Sequence, residues 1–202
     1  MRGIQTDRIK DSIYAMGHGA VFTANDFLEI ANYDAIRQAL SRLADSGKIQ
    51  RIIRGVYYNP AFSELLQEYE APSPHQIALA IARKFNWNIA PSGITALNML
   101  GLSAQVSAKW SYISDGPYNK YEFNGITVEF KRRNNREIAG MSYKTALTIQ
   151  AIKALGKGKV DSVTVAKIRT KLTDKEISAL LQEARSSTVW IYQIVKRICE
   201  VD

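Results

Sequence analysis

The stretch TANDFLEIANYDAIRQALSRLADSGKIQRIIRGVYYNP at residues 23–59 leaves few folds open. Thr23 suits a helix N-cap, where its hydroxyl can take up an otherwise unpaired backbone N–H. Ala24 to Ala31 then predict one brief amphipathic helix with Phe27, Leu28 and Ala31 inward. Asn32 and Tyr33 break it. A second helix is expected from about Asp34 to Ser46, with Ile36, Ala39, Leu40 and Leu43 recurring at helical spacing on one face. Gly47 ends that helix. Lys48 to Arg54 alternates apolar and polar residues, Gly55 permits a turn, and Val56, Tyr57 and Tyr58 return as a strand.

Upstream, Thr6 to Met16 predicts a first helix capped by Thr6, with Ile9, Ile13 and Met16 on one face, and Gly17, His18 and Gly19 interrupt it. Ala20, Val21 and Phe22 fit a short strand that pairs with the later hairpin. Helix, strand, helix, turn, helix, hairpin is the pattern of a winged helix-turn-helix, expected over residues 1–62. With Ile36, Leu40 and Leu43 inward, the outer faces of the second helix carry Asp34, Arg37, Gln38, Ser41 and Arg42. Arginine can pair bidentately with guanine and glutamine with adenine in the major groove, while serine can bond a base or a phosphate. Lys48, Arg51 and Arg54 fall on the hairpin, where a wing meets the backbone or the minor groove. The bland alternative is a solvated helix of mixed charge; the helix spacing, the glycine break and the basic hairpin together favour double-stranded DNA.

Charge points the same way without localising the partner. The 202-residue chain has a net charge of +8 and a pI near 9.5, which favours an anionic partner. Residues 1–62 contribute +2 and residues 63–202 contribute +6. A single cysteine, Cys199, rules out an internal disulfide or a thiolate zinc cluster. The two histidines, His18 and His75, have no ligand-like company, so no metal and no cofactor is expected. No apolar run approaches about 18 residues, and the N-terminus lacks the apolar core of a secretory signal. A cytoplasmic protein is expected.

Residues 63–74 look like a linker, with Pro72 and Pro74 making an extended segment beside the acidic Glu64, Glu68 and Glu70. Residues 75–202 read as a second, α+β domain, so the fold class is α+β. Its expected elements begin with a helix from His75 to Phe85, with Ile77, Ala78, Ile81 and Phe85 inward. A short apolar stretch, Trp87 to Ala90, and a helix carrying Leu97 and Leu100 follow. Next come a strand over Lys109 to Ser114 and a hairpin of Tyr121–Phe123 and Ile126–Arg132 turned by Asn124-Gly125. Helices follow over 142–156 and about 162–172, then one opened by a Thr173–Glu176 capping box, and a last helix through Trp190, Ile194 and Ile198.

Two segments, ALSRLADSGKIQRIIRGVYY and APSGITALNMLGLS, resemble AbiEi-type antitoxins of bacterial abortive-infection (type IV toxin–antitoxin) loci. The second segment holds Ser92-Gly93-Ile94-Thr95-Ala96-Leu97 and Leu100-Gly101-Leu102. The resemblance spans most of the chain and rests mainly on structural residues. It implies a phage-defence protein in two parts. The winged helix would bind operator DNA and repress its own operon, and the C-terminal domain would neutralise a nucleotidyltransferase-like toxin encoded next door. It implies no enzyme. The DNA-contacting helix would fall on residues 34–46 and the wing on residues 48–58. The oligomeric state stays open between a dimer on a palindromic operator and monomers that meet on DNA.

Other readings stand beside this one. Lys131, Arg132, Arg133 and Arg136 form the densest basic run, either a second phosphate-contacting or partner patch or a solvated hairpin end. A stand-alone regulator with a ligand-sensing C-terminal domain would carry the same winged helix. Asp115 followed by Glu129-Phe130-Lys131 resembles a metal-dependent nuclease pattern, in which two carboxylates hold magnesium. Alternation along the strand explains the same residues as Thr127, Glu129 and Lys131 on one face, opposite Ile126, Val128 and Phe130.

Overall fold

A computed structural model describes residues 2–65, 67–133 and 140–200. Its contacts divide the chain into two units, Met1–Trp87 and Asn88–Asp202.

The first unit is organised on helix α2, Tyr33–Asp45. Asn32 caps it by accepting the Ala35 N–H at 2.9 Å. Ile36, Ala39, Leu40 and Leu43 are buried as the spacing predicts, in a core with Ile9 and Ile13 of helix α1 (Arg2–Ala15), Phe22, Phe27, Ile49 and Tyr57. The strands β1 (Val21–Phe22), β2 (Gln50–Ile53) and β3 (Val56–Tyr58) form an antiparallel sheet in the order β1-β3-β2. Val21 pairs with Tyr58, and Arg51 pairs with Tyr57.

Three local expectations change. The segment after Thr23 is a single 3-10 turn, Ala24–Phe27, rather than a helix to Ala31. Leu28 is therefore 54% exposed, and Ile30 packs against the core with Ala31. Helix α1 begins well before Thr6, so that threonine is no cap; its hydroxyl oxygen accepts from Arg42 Nη2 at 3.1 Å. Met16 falls just beyond α1 and is exposed.

A hairpin of β4 (Phe62–Ser63) and β5 (Glu68–Tyr69) crosses the expected start of the linker, with the Phe62 and Tyr69 rings edge to face at 5.3 Å. The next helix, α3 (Pro74–Phe85), groups with the first unit and not with the second, so the division falls after Trp87 instead of at 63–74. Polar contacts hold it there. Arg83 donates from Nε to Asp26 Oδ1 at 2.9 Å and from Nη2 to Val21 O at 3.1 Å. Ile77, Ala78 and Ile81 are buried, whereas Phe85 is exposed and stacks on Trp87 at 4.8 Å.

The second unit has a four-stranded sheet, β6 (Ile89–Pro91), β7 (Lys109–Ser114), β8 (Asn119–Phe123) and β9 (Ile126–Arg132), in the order β6-β7-β9-β8. The Asn124-Gly125 turn joins β8 to β9 as expected, and β9 then pairs parallel to β7 with Ser111 opposite Glu129. Helix α4 (Ile94–Met99) packs on α5 (Tyr143–Leu155) through Ala96, Leu100, Leu147 and Ala151. Ala146 of α5 also meets Ala90 and Ile113 of the sheet. Helices α6 (Ser162–Arg169), α7 (Asp174–Glu183) and α8 (Val189–Cys199) close on Ile149 and Ile152 in an apolar cluster. The Thr173 capping box forms, with Thr173 N–H donating to Glu176 at 2.8 Å. Among the described residues no helix is long and apolar enough to cross a membrane.

Candidate nucleic-acid interface

Burying Ile36, Leu40 and Leu43 turns the opposite flank of α2 outward beside the β2–β3 hairpin. The two enclose a concave surface of about 580 Å³. Six of the eight predicted contact residues line it: Asp34, Arg37, Gln38 and Ser41 from α2, with Arg51 and Arg54 from the hairpin. The other two do not. Arg42 turns to Thr6 on α1, and Lys48 lies exposed in the link between α2 and β2.

The arginines are held in distinct ways. Arg51 Nη2 donates to Ser41 Oγ at 3.3 Å, and its guanidinium lies 5.3 Å from the Tyr57 ring centroid. Helix and hairpin are thereby joined at the surface itself. Arg37 sits 5.9 Å from the Tyr33 ring centroid and 3.6 Å from Asp34, with both charged groups largely exposed. Such an exposed pair contributes little to stability and leaves the guanidinium able to change partners. Asp34 repels phosphate but can accept from a cytosine amino group.

Lys84, at the end of α3, also lines this surface and was not expected there. Its Nζ donates to Arg54 O at 2.7 Å. Burial, then the nearby Arg54 charge, lowers its pKa from the ordinary lysine value. Gly55 makes room for it: at φ +77° a side chain would be strained, and a Cβ would lie 3.0 Å from Lys84 Nζ. No local pattern signals Lys84, because the contact depends on α3 packing back on the first unit. Replacing it with methionine (Lys84→Met) should release the hairpin tip by about 1 kcal/mol, a typical net hydrogen-bond contribution. Amide exchange at Arg54 to Val56 should quicken several-fold while exchange in α2 stays unchanged; equal exchange at the hairpin in both proteins would remove Lys84 from this role.

In the second unit, Lys131 lies in β9 with Nζ 3.4 Å from Glu129, while Arg132 and Arg133 are exposed at the strand end. Arg136 lies outside the described residues. The Asp115 and Glu129 carboxylates do not converge. Ser111 is level with Glu129, and Asp115 is four residues further on, about 13 Å at the usual rise of a strand. Asp115 instead accepts from the backbone and side-chain amides of Asn88 at 2.9 and 2.7 Å. Among the described residues no group of three His, Cys, Asp or Glu side chains is placed to hold a metal.

Glu129 is not on a solvated face as the alternation suggested; it is only 5% exposed. Lys109 Nζ reaches it at 2.8 Å, the Tyr118 hydroxyl at 3.1 Å and the Ser111 hydroxyl at 3.3 Å. Burial pushes its pKa up, but the hydrogen bonds from Lys109 and Tyr118 and the Lys131 and Lys109 charges outweigh that and hold it at about 2.

Comparison with known proteins adds a family and a structural likeness. No curated protein matches the sequence. The structure is similar to the crystal structure of the RV2827C protein from Mycobacterium tuberculosis at 14% sequence identity and a TM-score of 0.40, covering 97% of this chain and 76% of that one. Residues 8–180 match the family described as "Family of unknown function (DUF6088)", and the chain belongs to that family.

Proposed function

We propose that residues 1–87 are a winged helix-turn-helix that binds duplex DNA. In this reading α2 enters the major groove and the β2–β3 hairpin acts as the wing. The observation that carries it is the shared concave surface, which brings Arg37, Arg51, Arg54 and Lys84 together around one acid, Asp34. Gln38 and Arg37 are the candidate base readers, Ser41 and Arg51 tie reading helix to wing, and Arg54 meets the backbone. The resemblance to AbiEi-type antitoxins extends the proposal. The protein is an antitoxin and autorepressor in the cytoplasm, acts without catalysis, and opposes a nucleotidyltransferase-like toxin through its second unit.

Fluorescence anisotropy on the DNA upstream of its own gene, against a scrambled duplex at two salt concentrations, tests the DNA reading. Preference for the upstream duplex should persist at both salts. The log–log salt slope should be about −3 if Arg51, Arg54 and Lys84 each neutralise one phosphate while Arg37 reads a base. Weak binding that is equal on both duplexes and vanishes with salt would reduce the surface to general attraction. Co-purification with the product of the neighbouring gene tests the antitoxin part.

A further inference from the structure

Residues 88–202 hold 17 basic and 10 acidic side chains, so most of the chain's net positive charge is in the second unit. Three of these cations, Lys131, Arg133 and Lys153, line one pocket of about 350 Å³ with Ser92, Gly93 and Gln150. That volume is at the small end of ligand pockets, about 300–1,000 Å³.

Three elements build the pocket. Ser92 follows β6, and its N–H donates to Ser111 O at 2.9 Å. Gly93 takes φ +58° and ψ −137°, a backbone conformation open almost only to glycine. Lys131 sits opposite Ile113 in the parallel β7–β9 ladder, and Arg133 N–H donates to Ser114 O at 2.8 Å just beyond it. Gln150 and Lys153 are three residues apart on α5, so they share a face. Gln150 is only 5% exposed and Ser92 only 8%.

This chemistry suits one kind of ligand. Like charges around a common cleft repel each other, and an anion between them converts that repulsion into attraction. Among the described residues the lining holds no carboxylate. Glu129 does reach Lys131, but Lys109 shares it at a shorter distance. Arginine offers a planar fork that matches phosphate oxygens, and the Gln150 amide and Ser92 hydroxyl add neutral donors. We propose that this pocket binds the phosphate dianion of a small phosphomonoester. The proposal does not depend on the DNA surface of the first unit. A nucleic-acid phosphodiester shares the chemistry but carries a single charge.

The test uses the full chain and inorganic phosphate, followed by phosphorus NMR at an ionic strength held constant with chloride. The phosphate line should broaden saturably in the parent protein and equally in an Arg37→Ala/Arg51→Ala variant. Arg133→Gln and Lys153→Gln should each raise the apparent Kd by roughly tenfold, as expected for losing a charge-assisted hydrogen bond, with circular dichroism showing both folded. The opposite pattern, binding lost with Arg37 and Arg51 and kept without Arg133 and Lys153, overturns the proposal, as does broadening that never saturates. A short duplex without terminal phosphates separates the two sources. Failure to displace phosphate from the Arg37→Ala/Arg51→Ala variant supports the small-molecule site; displacement there would assign the pocket to the nucleic-acid backbone and overturn it.

Discussion

Arg37→Ala should weaken binding to the preferred duplex by about 1–3 kcal/mol, the usual cost of losing an arginine that reads a base. Arg51→Ala should lower affinity on all duplexes and reduce the salt slope by about 1 if Arg51 meets a phosphate. Together the two losses reach about two to three powers of ten in affinity near 0.1 M salt if they are additive, and anisotropy titrations at one fixed salt read them directly. Stability should change little. Among the described residues Arg37 is largely exposed and pairs with an exposed Asp34 and the Tyr33 ring. Arg42→Ala is the internal comparison, because Arg42 is on the same helix but donates to Thr6 on α1. It should weaken binding less than Arg37→Ala. Loss concentrated in Arg42→Ala, with Arg37→Ala unaffected, would move the proposed DNA face to the α1 side of α2.

That contrast marks where the sequence was readable. The apolar spacing of Ile36, Ala39, Leu40 and Leu43 determines which flank of α2 is outward, because burying one side of a helix leaves the other no alternative. Alternation and Gly55 did the same for the hairpin. The same reasoning could not separate Arg37 from Arg42, since both are off the apolar face and the difference lies in where α1 passes. Thr6 looked like a cap because the residues ahead of it carry no strong helical pattern. Residues 63–74 read as a linker because the prolines there favour an extended segment. They follow a small hairpin instead, and α3 is tied back by Arg83 to Asp26 and Val21. Asp26 lies 57 positions from Arg83, so no window of local periodicity contains both.

The second unit shows the limit more sharply. The Asn124-Gly125 turn and the two strands around it were legible from composition, and so was the face shared by Thr127, Glu129 and Lys131. The neighbour of that face was not. Parallel pairing of β7 with β9 brings Ser111 opposite Glu129 and Lys109 opposite Thr127. This register is set by packing across the sheet rather than by either strand alone. It turns a residue expected in solvent, or on a metal, into a buried carboxylate held by two lysines.

Glu129→Gln should therefore destabilise the protein more at neutral pH than in acid. The native carboxyl is held at about 2 against an ordinary 4.5. A lowered native value stabilises the fold fully above the unfolded pKa, and the stabilisation is lost as the pH falls through the native one. The shift corresponds to about 3 kcal/mol at pH 7, and the partial exposure of Lys109 and Lys131 trims it to about 2–3 kcal/mol through solvent screening. The variant retains an acceptor for Tyr118 and Ser111 but no charge for the two amines. Its Tm should fall by about 8–12 °C at pH 7, given the entropy of unfolding expected for a unit of this size. Between about pH 4.5 and 2 the gap should close, because protonation makes the parent side chain neutral as well. Other carboxyls with lowered values, Glu183 among them, titrate in both proteins, so the difference between the two melting curves isolates Glu129. A gap that stays constant from pH 7 to pH 2.5 would show that shape rather than charge makes Glu129 stabilising, and would take the two lysines out of the account.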